Sequence, residues 1–263
     1  MDERPVTIER SDGVAVVTLK RGDRLNALSI AVQQALKAAA VELRDDTGVQ
    51  AVVLTGDPVF SAGADLSDPA MTTRARASLI EKREMLRIGP ELCAAWEALD
   101  QVTIAAIEGF CIGGAVSLVA AMDFRIAARN AHLRLPEVPL AMNMSWQTQP
   151  RLVNLIGPAR AKQFVIFGER LPTATAHDWG LVDELTEPGG ALEAAMIWAR
   201  KVAALPPLSV RMAKRGITQM ATALNQTATF MDADQYLLAT STEDHREALK
   251  AFRDKRTPKF TGQ

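Results

Sequence analysis

Ile104-Ala105-Ala106-Ile107-Glu108-Gly109-Phe110-Cys111-Ile112-Gly113-Gly114-Ala115 decides the fold of this chain. It opens in an apolar run over residues 103–107, which reads as a buried strand. Gly109 marks a tight turn, and Gly113-Gly114 opens a small-residue stretch, 114–122, with little polar surface, which predicts a buried helix. A strand that runs through a glycine turn into a helix is the start of a parallel crossover unit. The same turn leaves the first amides of the helix unpaired, next to glycines that let a ligand approach the backbone closely.

About fifty residues upstream stands a second turn of this kind, Ser61-Ala62-Gly63-Ala64-Asp65-Leu66. It follows another apolar run, 51–56, which Gly56 and Pro58 stop. Small alanines on either side of Gly63 leave room for a ligand. The N–H of Ala64 and the N–H of Gly114, aimed at one point, would form an oxyanion hole able to hold the enolate of a carbonyl or thioester. Plain strand-to-loop exits need the same glycines, and spacing alone leaves both readings open.

The rest of the chain extends the alternation. Residues 14–19 are apolar on both faces and read as a buried strand. Ser29 can cap a helix in which Val32, Leu36, Ala40 and Leu43 recur at helical spacing. A polar, arginine-bearing segment, 68–76, is expected to pass into a helix ending near Leu99. Residues 124–128 are a further strand, and 181–185 a last short one. Beyond about Ser145 helical patterns dominate. Pro188-Gly189-Gly190 marks a break, so the expected organisation is an α/β core over 1–188 and a helical C-terminal region over 189–263.

Bulk properties narrow the function. The chain has 263 residues, 48% hydrophobic and 23% charged, ordinary values for a soluble globular protein. A net charge of −1 gives no reason to expect nucleic acid or an anionic membrane as partner. No run is long enough to span a membrane, and the polar start lacks the apolar core of a signal peptide. Cys93 and Cys111 have no metal-type spacing and make no disulfide framework, so a reducing cytoplasmic setting is expected. His132, His177 and His245 are scattered, which predicts no metal site. There is no G-x-S-x-G elbow, G-x-G-x-x-G or P-loop.

Several stretches together carry a resemblance. Phe60-Ser61-Ala62-Gly63-Ala64-Asp65-Leu66 resembles the F-x-A-G-A-D-L/I segment of the crotonase (enoyl-CoA hydratase/isomerase) superfamily, and residues 104–115 resemble its I-A-A-V-x-G-x-x-x-G-G segment. Arg24-Leu25-Asn26-Ala27-Leu28, Leu135-Pro136-Glu137-Val138, Trp179-Gly180-Leu181-Val182-Asp183 and the end, from Ala251 to Phe260, are similar to further elements in the same order. The resemblance implies a spiral core of repeated ββα turns with a helical C-terminal region that packs into homotrimers or hexamers. It implies an acyl-CoA thioester as substrate, with no separate cofactor because CoA is part of that substrate.

By that resemblance Ala64 and Gly114 hold the thioester oxygen. Arg24, Leu25, Ala62, Asp65 and Leu66 line the CoA moiety, with Lys259 reaching a neighbour's nucleotide. Ser117, Pro136, Asn143 and Met144 bound the acyl pocket. Many hydratases of the family carry two glutamates that position water and pass protons. One maps onto Glu137, whose neighbours Val138 and Leu140 are apolar and would raise its pKa. The other position holds Ser117, and a hydroxyl is no carboxylate base near neutral pH.

That departure favours isomerisation of 3-enoyl-CoA to 2-enoyl-CoA, which one carboxylate can run. Hydration of 2-enoyl-CoA, with water held by Glu108, Asn143 or Ser145, stands as the alternative. A catalytically weak acyl-CoA-binding protein is a further one. Where the family often has a glycine-rich turn, residues 141–146 read Ala-Met-Asn-Met-Ser-Trp, larger side chains that would narrow the acyl end or simply fill the core. Arg74, Arg76, Lys82, Arg83 and Arg87 would meet CoA phosphates or form a solvated helix face.

Overall fold

The computed structural model describes residues 5–65 and 67–263. The strands are β1 (Val6–Ser11), β2 (Val14–Leu19), β3 (Ala51–Gly56), β4 (Val102–Ile107), β5 (Phe110–Ile112), β6 (Phe124–Ala128), β7 (His132–Arg134), β8 (Leu171–Pro172) and β9 (Glu184–Thr186). The helices are α1 (Ile30–Arg44), α2 (Pro69–Arg76), α3 (Leu79–Met85), α4 (Ile88–Glu97), α5 (Gly114–Ala120), α6 (Thr148–Phe167), α7 (Thr173–Trp179), α8 (Ala191–Ala203), α9 (Pro207–Thr222), α10 (Asn225–Thr229), α11 (Asp232–Ser241) and α12 (Glu243–Arg253).

The larger sheet has the order β1-β2-β3-β4-β6-β9. Strands β2 to β9 run parallel within it, and β1 is antiparallel to β2. The apolar runs make sense on this sheet because both faces are covered. Ala15, Val17, Leu19, Val52, Leu54, Ala105 and Ile107 point into one core, against Leu36 and Leu43 of α1, Trp96 of α4 and Val116 of α5. Their alternates, Val14, Ala51, Val53, Val102, Ile104 and Ala106, meet a second core. There α8 presents Ala191, Ala195 and Ala199, one alanine per turn, and this flat stripe lets the helix lie close to the strands. The first helix past residue 188 is therefore a layer of the sheet's own packing.

The smaller sheet has the order β5-β7-β8. An isolated parallel bridge from Ser61 to Cys111 extends it by one position. The chain thus repeats one plan: a strand in the large sheet, a short strand or bridge in the small one, then helix. β3 with Ser61, β4 with β5, and β6 with β7 are three successive turns of a ββα spiral.

Elsewhere the structure refines the expectations. The polar segment 68–76 is itself helical, as α2, and the helix expected to follow it and end near Leu99 is two, α3 and α4, the first started anew by the capping box of Ser78 and Glu81. Gly157, with φ 75°, kinks α6 just before Pro158. The short strand expected over 181–185 starts at Glu184, because Asp183 turns its carboxylate onto the amide and guanidinium of Arg125. No helix among the described residues is long and apolar enough to cross a membrane.

Candidate active site

Ala64 and Gly114 occupy matching places in consecutive spiral turns, each just after a small-sheet position. The turn at 61–64 is clamped by the segment 24–28. Asn26 is fully buried, and its side chain accepts from Arg21 N at 2.7 Å and donates to Val59 O at 2.6 Å and Asp57 O at 3.1 Å. That fixes a left-handed kink at Leu25 and Asn26, with φ of 52° and 53°. Ala62 N then donates to Leu25 O, Leu28 N to Gly63 O, and Ser61 Oγ to Asn26 O. Gly63 has φ 81°, and a Cβ on it would lie 2.5 Å from Ile112 O. The two glycine turns are therefore in backbone contact, and only glycine fits between them at this position.

Gly113 adopts φ 56° and ψ −125°, a conformation for glycine, and its N–H donates to Arg134 O at 2.8 Å at the end of β7. Val116 N and Ser117 N close back onto Gly113 O. The Gly114 N–H, first in α5, is left without an acceptor by helix geometry. Around Ala64, the main-chain bonds are made by Gly63 O and Asp65 N with Leu28, so the Ala64 N–H also has no acceptor among the described residues.

Glu137 follows β7 and starts a short 3-10 turn over Val138–Leu140, fixed by Leu140 N and Met142 N donating to Glu137 O. Its carboxylate returns toward Gly113, where a Cβ would stand 3.1 Å from Oε1. Oε2 is shielded from solvent and has no hydrogen-bond partner among the described residues. Burial pushes this carboxyl up to about 7, against smaller opposing effects of its own backbone amide and of Arg134. A carboxyl balanced near neutrality can both accept and return a proton.

Ala64, Gly114, Ser117, Glu137 and Met144 line one cavity of about 120 Å³. Ser117 Oγ lies 2.6 Å from Thr148 Oγ1, and both residues are buried. Trp146 closes the cavity beside Gly114: a Cβ there would meet Cη2 at 2.8 Å, and Gly89 of α4 flanks the other side of the ring. The loop is locked from behind. Arg151, paired with Glu97 at 2.8 and 3.0 Å, donates to Trp146 O and Gln147 O, and Asp232 accepts from Gln147 N. Met142, Tyr236 of α11 and Arg74 of α2 complete the wall, three residues that sequence patterns do not bring together.

The remaining expected residues stand outside this cavity. Arg24 is exposed and donates to Ser67 Oγ at 3.1 Å, and Leu25 is 48% exposed beside Ala62. Asp65 pairs with Arg21 at 2.9 Å and accepts from Ser67; burial works to raise its carboxyl, but these bonds outweigh it and hold it below the ordinary value. Its side chain stabilises the turn. Leu66 lies outside the described residues. Pro136 sets the entry to Glu137 without lining the cavity, and Asn143 faces away, donating to Gln235 at 2.6 Å. Glu108 caps α8 through Ala191 N at 3.0 Å, so of the three groups considered for holding water only Ser145 is at the cavity. Lys259 lies in the C-terminal tail, its amide bonded to Glu247.

Comparison with known proteins matches this architecture. A family model for enoyl-CoA hydratase/isomerase covers residues 9–263. A crotonyl-CoA hydratase of Syntrophomonas wolfei is 32% identical over 207 residues, 78% of this chain and 77% of the relative. A 2,3-dehydroadipyl-CoA hydratase of Escherichia coli is 32% identical over 204 residues, again 78% and 77%. Among solved structures, an enoyl-CoA hydratase from Bacillus anthracis superposes with a TM-score of 0.77 at 32% identity, over 98% of this chain and 100% of that one. One from Mycobacterium avium subsp. paratuberculosis gives 0.85 at 25% identity, over 98% of both. With the ββα spiral, the paired glycine turns and a match along nearly its whole length, the chain belongs to the enoyl-CoA hydratase/isomerase family of enzymes, within the crotonase superfamily.

Proposed function

We propose that this enzyme acts on an acyl-CoA thioester through an enolate, and that it moves the double bond of a 3-enoyl-CoA to the 2-position. The observation that carries the reading is that Ala64, Gly114 and Glu137 line one cavity. The thioester oxygen is held by the two N–H groups. Glu137 takes a proton from the carbon next to the thioester, and the electron pair spreads into a dienolate whose negative oxygen the amides stabilise. The protonated Glu137 then returns the proton to the carbon two places along. The same atoms enter and leave, so no oxidant or co-reactant is needed beyond the CoA ester.

Ser117 supports isomerisation over the two-glutamate route, since its hydroxyl is engaged with Thr148 and supplies no second carboxylate. Hydration of 2-enoyl-CoA is the second reading, favoured by the same observation: the Ser117 hydroxyl, at the cavity and braced by Thr148, would seat a water for Glu137 to activate. Purified enzyme given 3-enoyl-CoA and 2-enoyl-CoA in parallel separates the two. Faster conversion of the 3-enoyl ester supports the isomerase, and water addition to the 2-enoyl ester at the higher rate overturns that preference. Tight binding of both esters without turnover would instead favour an acyl-CoA-binding role.

The helices α9 to α11 support self-association. Leu208, Met212, Ile217, Met220, Leu224 and Leu238 all stand well exposed, more apolar surface than a lone soluble chain usually leaves open. A homotrimer, or a hexamer of two trimers, is the proposed assembly, and light scattering on the purified protein tests it.

A further inference from the structure

One corner of the cavity holds a cation that the proposed reaction does not use. Arg74, in the last turn of α2, is partly buried and lines the same cavity as Glu137 and Gly114. Its guanidinium makes only long contacts: Nη2 is 3.4 Å from Met71 Sδ and 3.4 Å from the Tyr236 hydroxyl, and the group lies 5.8 Å from the centre of the Tyr236 ring. It has no carboxylate partner among the described residues. The acids of the neighbouring elements are committed elsewhere. Asp68 caps α2 and accepts from Ile30 N, Glu81 closes the box with Ser78, Glu84 pairs with Arg87, and Asp234 pairs with Arg83 at 2.8 Å. An arginine fork turned into a partly dry cavity is a site for a planar anion.

Tyr236 belongs to the same corner. It is the one tyrosine of the chain. Its hydroxyl reaches Met142 Sδ at 3.6 Å, a weak acceptor that an anionic oxygen would replace with a far stronger one. The cavity is small, about 120 Å³, and Trp146 packs against Gly114 and Gly89 within it, which leaves little room for a long aliphatic tail. Arg74 and Tyr236 line the same cavity as Ser117 and Met144, the residues expected around the acyl group, whereas Arg24, Leu25 and Ala62, expected along the CoA moiety, do not.

We infer that Arg74 and Tyr236 form a subsite for a carboxylate at the far end of the acyl group, so that the substrates are short CoA esters of dicarboxylic acids. The inference rests on the acyl-CoA reading above. Its test uses unreactive ligands, so that binding is read apart from turnover. Titration calorimetry compares hexanoyl-CoA with adipyl-CoA, which share a chain length and differ in a methyl or carboxylate end. The wild-type protein binds adipyl-CoA about tenfold or more tightly, as expected of a charge-assisted contact, and the ratio shrinks in high salt. Arg74→Met brings the two esters close to equal affinity. Arg74→Lys keeps part of the ratio, which separates lost charge from lost fold, and Tyr236→Phe lowers it by a smaller factor. Equal affinities in the wild type overturn the inference. So does an Arg74→Met variant that weakens both esters alike, the result expected if Arg74 meets CoA phosphates instead. Failure of both esters to bind overturns the acyl-CoA reading itself.

Discussion

The carboxylate of Glu137 stands over Gly113 so closely that one added methyl would lie 3.1 Å from Oε1. The acid is thereby held at the start of α5, next to the Gly114 amide proposed to hold the thioester oxygen. A base fixed beside an oxyanion donor is placed to work on the carbon next to the thioester, with no search for geometry at each turnover. Glu137→Gln keeps shape and volume but cannot carry the proton. We expect turnover to fall by about a hundredfold or more while affinity for a saturated acyl-CoA changes little. Steady-state rates and calorimetry on the same preparation check this, and full activity in the variant would remove Glu137 from the mechanism.

Because burial holds the Glu137 carboxyl near 7, activity and stability should respond to pH in opposite directions. The base works when ionised, so kcat/KM for the 3-enoyl ester rises as pH passes through about 7. For stability the sign follows from a folded-state pKa above the unfolded one. The folded chain favours the protonated acid, so its stabilising effect is complete below the unfolded value and is lost as pH rises through the folded one. Replacing Glu137 with Gln should therefore raise the melting temperature relative to wild type at alkaline pH more than at acidic pH. Paired melting curves across that range read the difference directly.

Ser117→Glu tests the second carboxylate. The new side chain enters beside Glu137, where a water can be shared between two acids, and the ratio of hydration to isomerisation should rise. The Thr148 hydroxyl now bonded to Ser117 would lose its partner, so the variant should also melt lower. A flat or falling ratio in folded protein would count against this position as the water site.

Gly114→Ala tests how tightly Trp146 seals the cavity. A Cβ there would lie 2.8 Å from Cη2 and 2.9 Å from Cζ3 of the indole. Overpacking of this kind costs about 1–3 kcal/mol. The melting temperature should drop in Gly114→Ala and recover in part when Trp146→Leu is added. No recovery in the double variant would mean that the clash lies elsewhere.

Much of this architecture is legible in the sequence because its cues are local. The apolar runs of β2, β3, β4 and β6 are buried on both faces, and Ser29 caps α1 by accepting from Val32 N. The glycines of both turns announce themselves, since Gly63 and Gly113 hold a positive φ that other residues rarely adopt. β1 was hidden because its later residues, Glu9 to Ser11, are exposed and polar, as on the edge of a sheet. β5, β7 and β8 are too short to show a period. The cavity wall was the least readable part. Tyr236 meets Met142 across 94 positions of chain, and Trp146 takes its place only because Gly89 and Gly114 leave room for the ring. Such contacts depend on tertiary packing and leave no periodic trace.

The central claim is tested most directly by a crystal structure of this enzyme with acetoacetyl-CoA bound. The account predicts the thioester oxygen about 3 Å from both the Ala64 and Gly114 nitrogens, with a Glu137 oxygen facing the carbon between the two carbonyls. A thioester oxygen held by other groups, or a Glu137 carboxylate turned away from the bound acyl chain, would contradict it.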